Sequence, residues 1–183
     1  MRKIKLWREA NKEFVGFVIR FTLSFFVLSS IYKIYLNYSS EIDQLDSITY
    51  FISRGSFEAA RILGVADCEW SCFYGGCFIG SESGRVNVIS GCNGLILIIL
   101  YISYIIGFSG FSLSTLLHSI IGAFVITLFN ITRIGLLILY VQSNSFEYFM
   151  HIKTVFTLFL YLSIIALWLL KPRIDSLFKL KAL

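Results

Sequence analysis

The stretch Ser90-Gly91-Cys92-Asn93-Gly94-Leu95-Ile96-Leu97-Ile98-Ile99-Leu100-Tyr101 decides how this chain is read. Small and polar residues pass directly into an apolar run that continues to Gly107, interrupted only by Ser103. Such a junction marks a helix entering hydrocarbon, with a thiol at the border. The span is expected over about Val88–Gly107, with Cys92 roughly 6 Å below its outer start at 1.5 Å per residue.

Three further apolar segments lie around it. They are expected at about Phe14–Leu36, Phe111–Tyr140 and Lys153–Leu170, the last closed by Lys171-Pro172-Arg173. Each approaches or exceeds the ~20 residues that a bilayer requires, and the third is long enough to tilt or project. Composition agrees: 57% of residues are hydrophobic and 15% charged, where soluble domains run near a quarter charged. The basic stretch Met1–Lys12 precedes an apolar run too long for a signal peptide and without a small-residue cleavage site. It therefore reads as a retained span.

The net charge of +5 does not point to nucleic acid. Basic residues gather at the two ends (Arg2, Lys3, Lys5, Arg8, Lys12 and Arg20; Lys171, Arg173, Lys179 and Lys181), each group beside an apolar span. That distribution is the positive-inside pattern, with membrane lipid as the partner. It puts both termini in the cytoplasm and the segment 37–87 outside. Glu41, Asp43, Asp46, Glu58, Asp67, Glu69 and Glu82 outnumber Arg54, Arg61 and Arg85 there, which agrees.

The expected fold is an all-α integral membrane helical bundle of about four transmembrane helices, a single domain over 1–183, with an extracytoplasmic insertion at 37–87. Within the insertion, Glu41–Leu63 carries Leu45, Ile48, Phe51, Ile52, Ile62 and Leu63 at helical spacing. It reads as an amphipathic helix on the interface, ending at Gly64. Glu69–Tyr74 and Cys77–Gly80 read as a β-hairpin turning at Gly75-Gly76, followed by a short strand at Arg85–Ile89.

Three side chains converge near the outer face. Arg133 stands roughly 10 Å below the outer end of the third span, and His151 stands at the mouth of the fourth. A thiolate is a strong nucleophile that forms a thioester with a substrate carbonyl. An arginine stabilises an oxyanion, and a histidine moves the proton. Gly91 and Gly94 leave room for a substrate backbone at the sulfur. Taken alone, Cys92 is an ordinary packing residue and His151 an ordinary interfacial one. Arg133 is harder to dismiss, because an arginine inside a span costs roughly 2.5–3.5 kcal/mol and faces a partner or a cavity. Asn130, one turn earlier, is placed to bond it or to tie helices together. His118 falls in the cytoplasmic half of the third span and reads as packing. Cys68, Cys72 and Cys77 lie outside, where one disulfide among them would staple the cap. A Gly75-Gly76 turn sets Cys72 opposite Ile79, so the pairing stays open.

The ordered motifs Cys92-Asn93-Gly94-Leu95, Asn130-Ile131-Thr132-Arg133 and His151 resemble the exosortase/archaeosortase family of membrane cysteine transpeptidases, and most of all the small exosortases of Bacteroidetes-type bacteria. The similarity spans about Gly64–Leu170. The family's frequent arginine just after the Cys-x-Gly motif is replaced by Leu95, Ile96 and Leu97, and His151 is followed by Ile152 and Lys153.

The resemblance implies Cys92, Arg133 and His151 as catalytic residues, supported by Asn93, Gly94 and Asn130, with no metal and no organic cofactor. The implied substrates are secreted proteins ending in a short motif, an apolar helix and a basic tail. They would be cleaved at the outer face of a bacterial cytoplasmic membrane and passed to a glycan or a lipid-linked amine. Two other classes compete. A membrane thiol–disulfide oxidoreductase wants a Cys-x-x-Cys pair, which the spacings here do not supply. A non-enzymatic assembly factor leaves the sunken arginine unexplained.

Overall fold

The computed structural model describes residues 11–41, 44–65, 67–82, 84–143, 153–162 and 164–169. The elements are helix α1 (Lys12–Glu41), helix α2 (Ser47–Ile62), strands β1 (Glu69–Phe73), β2 (Gly76–Ser81) and β3 (Gly84–Val88), a 3₁₀ turn (Ser90–Cys92), helix α3 (Leu95–Ser109) and helix α4 (Leu113–Ser143). A last apolar helix, α5, covers Lys153–Leu169. The fold is mostly helical, with one small antiparallel sheet in the order β1-β2-β3.

Two helices, Lys12–Glu41 and Leu113–Gln142, are long and apolar enough to cross a membrane. Helix α1 carries two faces. Phe17, Phe21 and Phe25 form a ring ladder on one side, and Phe17 packs on Tyr104 and Phe108 of α3. Gly107 permits that approach, since a Cβ there would sit 2.9 Å from the Phe17 ring. The other side exposes Phe14, Val18, Ile19, Leu23, Phe26 and Ile34. Helix α4 exposes a similar stripe that includes Leu113, Leu116, Ile120 and Phe124. Apolar patches of that extent are not sustained in water and call for a lipid or protein covering.

Two cores stack along the molecule. One joins Tyr101 and Ile105 of α3, Ile126 of α4 and Leu160 and Ile164 of α5. Trp168 extends it by stacking on Tyr104 at 4.1 Å. The other joins Ile52 and Ala60 of α2, Ile79 and Val88 of the sheet and Ile134 and Ile138 of α4. The 31 residues of α4 measure about 46 Å, against ~30 Å of hydrocarbon. Its last turns project into this second core and are covered by α2 and the sheet.

The structure corrects several expectations. Helix α3 begins at Leu95, well after Val88, so its 15 residues span only about 22 Å. Cys92 therefore sits in the turn that leads into the helix, not inside it. The cause is backbone geometry: Gly94 adopts φ +79°, a left-handed conformation that a helix cannot contain. Helix α1 runs past Leu36 to Glu41, because nothing in Asn37–Glu41 breaks a helix and the Tyr74 hydroxyl ties Ser40 at 2.6 Å.

Helix α2 starts at Ser47, later than the expected Glu41, and of the expected apolar set Ile48 and Ile52 pack in the core. Thr49, Ile52, Ser53, Ser56 and Ala60 point inward, while Phe51 and Ile62 are exposed. Small residues win the contact because α2 lies very close to α4. A Cβ on Gly135 would come within 3.1 Å of the Ala59 Cβ, and one on Gly55 within 2.8 Å of Ile131. Asp46 caps the helix, accepting the Thr49 N–H at 2.8 Å.

The hairpin turns at Tyr74-Gly75, one residue earlier than expected, and pairs Phe73 with Gly76. That slip brings Cys72 opposite Cys77, and the two form a disulfide. Gly76 is held close to its neighbours, since a Cβ there would lie 2.7 Å from the Val88 carbonyl oxygen. It therefore belongs in the sheet and not in the turn. The Lys171-Pro172-Arg173 stop, most of the link 142–150 and, of the basic residues at the two ends, all but Lys12 and Arg20 lie outside the described residues.

Candidate active site

The turn that carries Cys92 is fixed from three sides. Strand β3 delivers the chain to Ile89, which is extended, and the Cys92 N–H donates to the Ile89 carbonyl at 2.8 Å. Asn93, 3% exposed, then works in two directions. Its Oδ1 accepts the Leu95 N–H at 3.0 Å and so caps α3. Its Nδ2 donates to the Tyr32 hydroxyl of α1 at 2.8 Å and to Thr49 Oγ1 of α2 at 3.2 Å. Tyr32 in turn donates to the Ser90 carbonyl at 3.2 Å, which closes a network around the turn.

Helix α4 holds the third side. Asn130, 1% exposed, donates from Nδ2 to the Cys92 carbonyl at 3.0 Å. Gly94 makes this contact possible, because a Cβ there would sit 3.0 Å from the same Nδ2. The residue types of the Cys-Asn-Gly run thus have separate physical duties. Asn93 locks the turn to α1 and α2, and Gly94 bends the chain and admits Asn130. Cys92 is left half-buried against the upper core with a free thiol.

Arg133 follows Asn130 by three residues and shares its face of α4. Its Nε is buried with no hydrogen-bond partner among the described residues, and the ion pairs among those residues do not include it. Asn130 Oδ1 is likewise buried without a partner. Buried polar atoms are almost always satisfied, so two orphans one turn apart require an explanation. The Asn130 bond to the Cys92 carbonyl ties the Cys92 turn to the face of α4 that carries Arg133. The structure therefore brings together Cys92, Asn93, Gly94, Asn130 and Arg133.

Sequence reasoning missed Tyr32 and Thr49. Each looks like an ordinary helix residue, and only packing carries it to the turn. His151 lies outside the described residues. His118 is 3% exposed and its Nδ1–H donates to the Ser114 carbonyl at 2.9 Å. It stands about 22 Å along α4 from Arg133 and serves as a packing residue.

The remaining cysteines are separate from this site. Cys72 and Cys77 are bonded to each other, and Cys68 is a free thiol. Burial pushes the Cys68 thiol up, against the smaller opposing effects of the Gly80 backbone and the Arg61 cation.

A free sulfur on a turn tied to the helix face that carries an arginine is an arrangement suited to attack on a carbonyl and stabilisation of the resulting oxyanion. Comparison of the chain with protein-family models, with curated proteins and with solved structures finds no match, so the chemistry rests on these residues alone.

Proposed function

We propose that this protein is an exosortase-like membrane cysteine peptidase and transpeptidase. The observation that supports the reading is the Asn130 bond to the Cys92 carbonyl, which ties the turn of the free Cys92 thiol to the helix face of Arg133, whose buried Nε has no hydrogen-bond partner among the described residues. In this reading α1, α3, α4 and α5 are four spans of a bacterial cytoplasmic membrane. Both chain ends are cytoplasmic, and the sheet and α2 form a cap on the outer side.

A secreted substrate brings a C-terminal motif, an apolar helix and a basic tail. Cys92 Sγ attacks the scissile carbonyl carbon, and the carbon–sulfur bond forms as the carbon–nitrogen bond breaks. Arg133 stabilises the oxyanion, and His151 passes the thiol proton to the leaving amine. An acceptor amine or water then opens the thioester and returns the proton to sulfur. The chemistry needs neither metal nor organic cofactor.

The test is co-expression with a secreted protein of that design, followed by mass spectrometry of its C-terminus. Cys92→Ala, Arg133→Ala and His151→Ala should each lower cleavage by about a hundredfold or more, with the protein still in the membrane. Cleavage at the wild-type rate by Cys92→Ala overturns the reading. The thiol–disulfide alternative has the Cys72–Cys77 bond in its favour. The spacing Cys72-x4-Cys77 is not the Cys-x-x-Cys pair of such enzymes, however.

A further inference from the structure

At the opposite end of the molecule, the start of α1 and the end of α3 enclose a cleft of about 620 Å³. Arg20, on its wall, stands about 18 Å along α1 from Tyr32 and the Cys92 turn. The cleft is lined by Glu13, Phe14, Phe17, Arg20 and Phe108. Phe17 and Phe108 meet edge to face with ring centroids 4.9 Å apart, which gives it an aromatic wall. Its volume is within the range of ligand pockets.

Two opposite charges share this cleft without meeting. The ion pairs among the described residues include neither Glu13 nor Arg20. Arg20 stands inside the apolar run of α1, where an arginine is costly and calls for a partner. Its side chain turns back toward the start of the helix. A Cβ on Gly16 would lie 3.9 Å from Nη2, and one on Gly110 would lie 3.6 Å from Nη1. That is the snorkelling direction. It brings the guanidinium about 6 Å back, to the level of Gly16 and close to the beginning of the apolar run at Phe14.

A guanidinium fork matches phosphate oxygens. A carboxylate accepts N–H bonds from a primary ammonium, and ring faces attract the same cation. A ligand that carries both charges therefore satisfies both ends of the cleft. A singly anionic ligand meets the Glu13 carboxylate and is disfavoured. The exposed Phe14, Val18 and Ile19 continue the cleft as apolar surface on which acyl chains can lie, so the source of the headgroup is a lipid.

We propose that this cleft binds one zwitterionic phospholipid with a primary amine, its phosphate on Arg20 and its ammonium on Glu13. The inference rests on the membrane reading of α1 and not on the peptidase chemistry. It also runs against the general attraction of the basic ends of the chain, which favours anionic lipid.

The experiment uses the full chain in detergent. Phosphatidylethanolamine, phosphatidylcholine and phosphatidylglycerol with the same acyl chains are added, and the one-lipid adduct is followed by native mass spectrometry. Phosphatidylethanolamine should bind at least about threefold more tightly than either of the others. Arg20→Gln should weaken it about tenfold, and Glu13→Gln should remove its advantage over phosphatidylglycerol. Glu13 and Arg20 are exposed, so both variants should keep the wild-type thermal midpoint. Lys33→Gln, toward the other end of α1, should leave binding unchanged.

Phosphatidylglycerol bound as tightly as phosphatidylethanolamine overturns the site, as does binding that Arg20→Gln leaves intact or that Lys33→Gln weakens equally. Free phosphoethanolamine that displaces the lipid at equal concentration overturns the lipid source. The expected lipid preference in a protein without Cys92-dependent cleavage upholds the site and overturns only the peptidase reading.

Discussion

The two asparagines at the Cys92 turn provide a sharp test, because their hydrogen-bond accounts differ. Asn93→Leu is close to isosteric and removes three bonds: to Tyr32 at 2.8 Å, to Thr49 at 3.2 Å and from the Leu95 N–H at 3.0 Å. At about 1 kcal/mol each, the loss is about 3 kcal/mol, and more if Thr49, which is fully buried, is left unsatisfied. Asn130→Leu removes one bond, to the Cys92 carbonyl, and also removes the unpartnered Oδ1. The penalty of that orphaned oxygen is about as large as the bond is favourable, so the net change should fall within about 1 kcal/mol of zero.

Thermal unfolding of the two purified variants in one detergent would separate them. At about 2–4 °C per kcal/mol for a chain of this size, Asn93→Leu should lower the midpoint by about 6–12 °C and Asn130→Leu by a few degrees at most. Substrate cleavage should fall in both, since both release the turn that aims Cys92. Equal destabilisation by the two variants would refute the reasoning, as would a shift under about 2 °C for Asn93→Leu.

Gly135→Val should push α2 off α4, because the added Cβ alone comes within 3.1 Å of Ala59 and 3.3 Å of the Ala60 backbone nitrogen. A loss of about 1–3 kcal/mol and faster proteolysis within α2 are expected. Alkylation under denaturing, non-reducing conditions should modify Cys68 and Cys92 alone, and reduction should add Cys72 and Cys77. Cys77→Ser should cost about 2 kcal/mol, from the short loop that the bridge closes. In the folded protein Cys68 should react more slowly than in the unfolded chain at the same mildly alkaline pH. Its raised pKa leaves less thiolate, and the difference should vanish once the pH passes the folded value.

The order of elements was legible in the chain because each carries its own local signal. Continuous apolar runs mark the helices, Gly64 ends α2 and β-rich residues lead into Cys92. The hairpin register was not legible. Gly75 and Gly76 are equivalent as turn residues when read alone, and only the contact of Gly76 with the Val88 carbonyl assigns Gly76 to the strand. The small residues of α2 that meet α4 were not legible for a related reason. Large apolar residues at helical spacing usually mark the core, but here a close helix crossing at Gly55, Ala59 and Gly135 selects small ones.

The sequence by itself determined the candidate nucleophile, the sunken arginine and the asparagine between them, because an arginine in an apolar run is costly and the Cys92 and Asn130 motifs stand in order around it. Their surroundings were decided only by the tertiary structure. Tyr32 and Thr49 lie 60 and 43 positions from Cys92 along the numbering. Nothing local distinguishes them from other aromatic or hydroxyl residues in a helix. Packing α1, α2 and α4 around one turn brings Tyr32, Thr49 and Asn130 to it. That packing follows from how apolar faces and glycine contacts fit together across the whole chain, which no single stretch encodes.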